Sequence, residues 1–302
     1  MAHEHPGLDE YNFVTCPSFH GATLIALLLN NHSQLMTLGD LIPEQMEDRM
    51  CACGEGMDAC KFWTGLTGGT EMEQPFTFPS LAPLMKAARP NMYANYAVSQ
   101  LARIFGAKAW KLCPGARDKF LTSYHQLHAR SCELTGARKF IDGSKNPVKA
   151  RALNSMLTER KTIRILHITR DPRAFIASCR KYNDISLEIN MRYYRRYHRF
   201  ILKQYKAGSD YSYLHIRLED LCREPDLSLE KIQTFLGVEP EPLTVPVRHP
   251  EKHHLVGNTR AIARFDGQLK LDTRYLDTLT EDEQQTIIKL AGSPANTFDY
   301  QP

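Results

Sequence analysis

The stretch that decides the fold reads Tyr11-Asn12-Phe13-Val14-Thr15-Cys16, then Pro17-Ser18-Phe19-His20-Gly21, then Ala22-Thr23-Leu24-Ile25-Ala26-Leu27-Leu28-Leu29. A β-prone run, a short break punctuated by proline and glycine, and an apolar run predict strand, tight loop and helix in succession. A second β-prone run at 35–38 ends at Gly39-Asp40 and predicts another strand. Strand, loop, helix, strand is how a parallel α/β sheet begins.

The same alternation returns after residue 138. Residues 139–141 predict a short strand, 148–157 a helix and 163–169 the most β-prone strand of the chain. A helix follows at 172–181, with Pro172 in the first turn, where a missing N–H costs nothing. A long amphipathic helix is expected at 186–205, a strand at 211–216, a helix at 227–236 that Gly237 ends, and a last helix at 281–291. Between the two blocks, residues 43–135 differ: Cys, Gly and Pro crowd 51–90, and helical patterns follow at 96–104 and 117–134. The expectation is one α/β domain over residues 1–302, a P-loop-like parallel sheet flanked by helices, carrying an inserted, mostly helical, Cys-containing cap. Residues 239–267, rich in Pro, His and Gly, read as a long loop of the kind that usually serves function.

Composition narrows the classes of partner. The 302 residues are 42% hydrophobic and 24% charged, with a formal net charge of +4. This is a globular profile, and the charge suits a small anion but is too weak and too dispersed to argue for nucleic acid. No segment has the unbroken apolar length of a membrane span, and residues 1–10 contain no apolar core of a secretion signal. Eight cysteines without such a signal read as reduced thiols. A cytoplasmic protein with no membrane or nucleic-acid partner is therefore expected.

Four segments carry candidate chemistry. Ser18-Phe19-His20-Gly21-Ala22-Thr23-Leu24 lies between strand and helix, where main-chain N–H groups can cradle an anion, although the Gly-Lys-Ser/Thr ending of a Walker loop is absent. Arg170-Asp171-Pro172-Arg173, with Ser178 two turns on, follows the strongest strand, at the sheet edge where such folds bind ligands. Asp171 reads as a helix cap. Lys145, in Asp142-Gly143-Ser144-Lys145, would overlie the same crevice. Gly257-Asn258 marks a turn, and Arg260 beyond it could close over a bound anion.

In this order the four segments resemble the sulfotransferase superfamily, including its bacterial members and, distantly, the tyrosylprotein sulfotransferases. Leu218-Glu219-Asp220-Leu221 and Phe235-Leu236-Gly237 are similar to the family's Tyr-Glu-Asp-Leu and Phe-Leu-Gly stretches, and Cys51, Cys53 and Cys60-Lys61-Phe62-Trp63 to a Cys-rich insert of bacterial relatives. The resemblance runs from about Phe13 to Arg264. It implies a cofactor, 3′-phosphoadenosine 5′-phosphosulfate, whose product is adenosine 3′,5′-bisphosphate, with no metal required. On this reading Ser18 to Leu24 hold the 5′-phosphosulfate, Arg170, Ser178 and Arg260 hold the 3′-phosphate, and Gly257 and Asn258 belong to the covering loop. Lys145 would compensate the leaving oxygen. Asp40, then His20, then Asp142 are candidates for the base that deprotonates a small-molecule hydroxyl or amine acceptor.

Two departures stand out. Where the family loop carries a basic residue and a serine before the glycine, this chain has Phe19 and His20, and the family tyrosine is Leu218. Phe19 also leaves open a catalytically impaired, nucleotide-binding protein on the same fold. A nucleotide-dependent phosphotransferase is the other alternative, opposed by the missing Gly-Lys-Thr. Cys51, Cys53 and Cys60 could bind zinc with a fourth ligand from elsewhere, but no second Cys pair or paired histidines follow at the usual spacing. They read as small buried hydrophobes beside Phe62 and Trp63.

Overall fold

The computed structural model describes residues 8–39, 51–67, 114–182, 184–207, 210–243, 253 and 269–301. Five strands, β1 (Glu10–Thr15), β2 (Leu35–Thr37), β3 (Lys139–Asp142), β4 (Thr162–Thr169) and β5 (Ser212–Arg217), form one sheet in the order β2-β3-β1-β4-β5. Every pairing is parallel, with Thr15 opposite His167 and Thr169 opposite Arg217. The P-loop-like parallel sheet read from the sequence is the observed architecture.

Parallel strands need crossovers, and the helices supply them on both faces. On one face, α1 (Ala22–Leu29), α7 (Leu218–Arg223) and α8 (Pro225–Leu236) pack on Val14, Leu166, Ile168 and Ile216. The other face takes α3 (Pro114–Thr135), α4 (Lys149–Met156) and α6 (Leu187–Ile201) against Tyr11, Phe13, Ile163 and Ile165. Alternation along β1 and β4 thus feeds two cores, which is why neither strand shows a polar face. Leu166 is fully buried, and its truncation to alanine should cost about 2–5 kcal/mol.

A third cluster joins Cys51, Cys60, Phe62, Trp63 and Leu66, around α2 (Lys61–Thr67), to Met36, Leu38, Leu127 and Phe140. Of the expected cap, 43–50 and 68–113 lie outside the described residues, as does the helix expected at 96–104. The described part does not stand apart from the sheet: Phe120 and Tyr124 of α3 belong to the core over β1 and β4. Beyond the sheet, α5 (Pro172–Tyr182) and α6 pack with α9 (Tyr275–Thr278), α10 (Glu281–Ala291) and α11 (Ser293–Thr297) around Phe175, Tyr194, Ile287 and Phe298. The short helices α7, α9 and α11 were not legible, because four to six residues give too little periodicity. The helix expected at 186–205 ends in a π-turn, Leu202–Lys206, and the phenol of Tyr205 there donates to the carbonyl of Pro147 at 2.7 Å.

The chain after β1 turns toward β2, and the chain after β4 turns toward β5. Adjacent strands whose connections leave in opposite directions open a crevice at their C-terminal ends, the place where such sheets take ligands. The loops after β1 and β4 border that crevice.

Candidate active site

The β1–α1 loop takes its shape from two left-handed residues, Phe19 (φ 63°) and Gly21 (φ 81°). At Gly21 a side chain is disfavoured by the φ, and a Cβ would stand 2.8 Å from Leu218 Cδ1, so that leucine would have to shift. The leucine that replaces the family's tyrosine therefore packs directly on the loop. Gly21 caps α1 without a side-chain hydrogen bond, so the first-turn amides of Ala22, Thr23 and Leu24 receive nothing from a capping side chain.

Phe19 packs its ring on Tyr182, centroids 5.8 Å apart and nearly parallel, and turns its carbonyl to Arg170. Arg170 Nη1 donates to that carbonyl at 2.6 Å and to the hydroxyl of Ser178 at 3.1 Å, and Nη2 donates to Asp272 Oδ2 at 2.7 Å. The loop after β1, the residue after β4 and the second turn of α5 thus meet at one guanidinium. Asp171 caps α5 through the N–H of Arg173 (2.8 Å), and Glu219 accepts the N–H of Asp171 (2.8 Å) and the hydroxyl of Tyr300 (2.8 Å). The glutamate of the Leu-Glu-Asp-Leu stretch is thereby a support for the turn that launches Arg170.

Lys145 sits in the turn after β3 with φ 57°. The phenol of Tyr197 accepts from Thr15 Oγ1 at 2.7 Å and donates to the Lys145 carbonyl at 2.7 Å, tying that turn to the end of β1. Gly143, two residues earlier, lies so close to Gly39 that a Cβ would stand 2.8 Å from the Gly39 carbonyl. Asp40, the next residue, lies outside the described residues, as do Gly257, Asn258 and Arg260.

His20 is fully buried. Its Nδ1 is 2.9 Å from the Ser18 carbonyl, which can only accept, so Nδ1 carries the proton and Nε2 is left as an acceptor. Nε2 faces His198 Nε2 at 3.3 Å, His198 Nδ1 faces His167 Nε2 at 2.9 Å, and His167 Nδ1 faces the Tyr213 hydroxyl at 2.7 Å. The fixed first proton sets every later one: Tyr213 donates to His167, His167 to His198, and His198 to His20. Burial, with smaller contributions from the charges of Arg170 and Lys145, pulls His20 down to about 3, so the ring is neutral. Its one lone pair is engaged by His198, and no part of it faces solvent. As placed, His20 contributes to the loop through its main chain and its internal bonds rather than as an open base.

Asp142 is likewise occupied. Burial raises its pKa, but the Lys149 ammonium at 2.6 Å and the N–H of Ser144 outweigh this and hold it near 2, and Tyr124 donates to it at 2.7 Å. A carboxylate so satisfied is a poor proton acceptor.

Sequence reasoning missed three participants. Asp272 lies in a segment without periodicity; Tyr197 and His198 sit on a helix whose pattern reads as ordinary amphipathic structure. Beyond Asp272 a cavity of about 240 Å³, lined also by Arg173, Arg217, Glu219, Tyr275 and Tyr300, opens at the ends of β4 and β5. None of residues 18–24 lines it. Residues able to hold a metal gather elsewhere, around Cys51.

A sequence model of the sulfotransferase family matches residues 20–242, a span that begins at His20 near the end of the β1–α1 loop and includes the β4–α5 junction and the Leu-Glu-Asp-Leu stretch. No curated protein sequence matches the chain. In structure it is similar to the sulfotransferase domain of the Synechococcus PCC 7002 olefin synthase, at 17% identity and a TM-score of 0.52, covering 99% of this chain and 98% of that one. The sulfotransferase domain of the curacin biosynthetic pathway follows at 16% identity and TM-score 0.45, covering 97% and 99%. The sulfotransferase STF9 of Mycobacterium avium matches at 12% and 0.46, covering 98% and 78%. At 17% identity and a TM-score of 0.52 the olefin synthase domain speaks for the fold alone, and the match over residues 20–242 speaks for descent: the chain belongs to the sulfotransferase family.

Proposed function

We propose that this protein transfers a sulfuryl group from 3′-phosphoadenosine 5′-phosphosulfate to a hydroxyl or amine of a small-molecule acceptor. The observation that carries the proposal is the meeting of Arg170 with both Ser178 and the Phe19 carbonyl. It sets a guanidinium and a hydroxyl beside a loop of main-chain amides, the two donor sets that opposite ends of a doubly charged nucleotide require. The donors suit such a ligand: amides at a helix start, a left-handed glycine, guanidinium, hydroxyl and ammonium.

When bound, the nucleotide would supply an activated sulfuryl group. The amides from Ser18 to Leu24 would hold its 5′ end and the Arg170–Ser178 pair its 3′-phosphate, with Gly257, Asn258 and Arg260 closing over it. Transfer of this kind is governed by in-line placement and compensation of charge on the leaving oxygen. Lys145 is assigned that compensation, because its turn is pinned to the end of β1 through Tyr197. Asp40 is assigned the proton from the acceptor, since the lone pair of His20 and the carboxylate of Asp142 are already engaged. Protein cations and dipoles do this work without a catalytic metal. A soluble, cytoplasmic setting fits a small acceptor.

The test is Lys145→Ala, assayed by release of adenosine 3′,5′-bisphosphate from the phosphosulfate with a panel of small alcohols, phenols and amines. Turnover should fall by at least about tenfold while bisphosphate affinity stays within about threefold. An unchanged rate would remove Lys145 from the chemistry. Tight bisphosphate binding by the wild type without transfer to any acceptor would favour the impaired, binding-only reading that Phe19 raises.

A further inference from the structure

The thiols of Cys51, Cys53 and Cys60 converge with the imidazole of His253, which lies 193 residues beyond Cys60 in the chain. His253 Nδ1 is 3.5 Å from Cys51 Sγ and 3.4 Å from Cys60 Sγ, and Cys53 Sγ is 3.6 Å from Cys60 Sγ. All four ligand atoms lie within 4.8 Å of one another. A tetrahedral zinc with Zn–S near 2.3 Å and Zn–N near 2.0 Å has S···S edges of about 3.8 Å and S···N edges of about 3.5 Å. We propose that Cys51, Cys53, Cys60 and His253 form a structural zinc site, with His253 Nδ1 as the fourth ligand.

The surroundings support ligation rather than simple packing. Gly54 N donates to the Cys51 carbonyl at 2.9 Å and Cys51 N to the Glu55 carbonyl at 2.9 Å, a tight turn that Gly54 permits with φ 100°. The His253 ring stacks on Phe62, centroids 5.0 Å apart and 3° from parallel, so its orientation is fixed. Zinc binding would release three thiol protons to solvent and leave a centre of charge −1. Three thiolates and one imidazole fill a tetrahedron, which makes the site closed and structural. An iron–sulfur cluster would place iron and sulfide between the thiolates and hold them further apart than these contacts.

The ion would fasten His253, four residues before Gly257 in the sequence, to the segment that follows β2. That consequence for cofactor binding rests on the proposed sulfotransfer; the metal site does not.

The experiment counts metal in full-length protein purified under reducing conditions without chelator, and titrates Zn²⁺ into stripped protein. About one zinc per chain is expected, and Co²⁺ in its place should give the visible absorption of tetrahedral cobalt thiolate. Cys60→Ser should lower zinc to below about a tenth of an equivalent, whereas Cys222→Ser should not change it. If the cysteine variants do not fold, the histidine supplies the readout against a chromophoric chelator. His253→Ala should weaken zinc by at least about tenfold, and His253→Cys should restore it. Folded, reduced wild type that binds no zinc would overturn the site, as would zinc that survives unchanged in Cys60→Ser and His253→Ala. A Cys53–Cys60 disulfide in the reduced preparation would also overturn it.

Discussion

Arg170 donates a 2.6 Å hydrogen bond to the main-chain carbonyl of Phe19, 151 residues away in sequence. The bond holds Phe19 in a left-handed conformation that few side chains of its size adopt, and it draws the β4 exit to the β1 loop across the crevice between those strands. Here the family's basic loop residue is replaced by an aromatic ring seated on Tyr182, and the guanidinium of Arg170 is bonded to the loop's own main chain.

Asp272 competes with any phosphate for that guanidinium. Its carboxyl, bonded to Arg274 and facing Arg170, is held near 2, so it is charged at neutral pH. Asp272→Asn removes a like charge from the position proposed for the 3′-phosphate. Bisphosphate affinity should rise by about three- to tenfold at low salt, with a smaller gain at high salt. Calorimetry at two ionic strengths checks this; weaker binding would mean that Asp272 orders Arg170 rather than opposes its ligand.

A side chain at Gly21 is strained by φ 81° and meets Leu218. Gly21→Ala should destabilise the protein by about 1–3 kcal/mol and weaken the bisphosphate, because both φ 81° and the contact with Leu218 oppose a Cβ. Adding Leu218→Ala should recover the part due to the contact and leave the part due to φ. Urea unfolding of the three proteins separates the two contributions.

Tyr197 joins Thr15 to the Lys145 carbonyl. Tyr197→Phe should cost about 1–2 kcal/mol of stability and lower kcat more than it raises KM for the phosphosulfate, since it loosens the turn that carries Lys145. A change in KM with kcat intact would place the phenol at cofactor binding instead.

Four buried imidazoles make the fold sensitive to acid. Burial pulls His20 and His128 down to about 3, and His167 and His198 well below their ordinary value. Below about pH 6.5 the unfolded chain takes up protons that the native state refuses, so stability rises with pH and is lost as pH falls. Each imidazole contributes up to about 1.4 kcal/mol per pH unit across that window. Unfolding midpoints should fall steadily from pH 7 to pH 5, and His198→Phe should flatten the slope. A midpoint constant over that range would contradict the tautomer chain from Tyr213 to His20.

Much of this was readable from sequence where local signals are strong. Both strands of the central crevice and the helices after them were placed within two residues, because the β-prone runs, the Pro17–Gly21 break and Pro172 are clear punctuation. Arg170 and Ser178 could be paired in advance, since eight positions along a strand exit and helix put both on one side. What sequence could not show depends on distant partners. The burial of His20 comes from His198, the engagement of Asp142 from Lys149 and Tyr124, and the fourth member of the cysteine cluster from a histidine near the other end of the chain. No spacing rule links such positions; only the folded sheet does.

The most direct test is calorimetric titration with adenosine 3′,5′-bisphosphate against adenosine 5′-monophosphate, in wild type and in Arg170→Ala. Two separate anion grips on one nucleotide predict at least about tenfold tighter binding of the bisphosphate, a preference that Arg170→Ala erases. Equal affinity for the two nucleotides, or a preference that survives the substitution, would contradict the account.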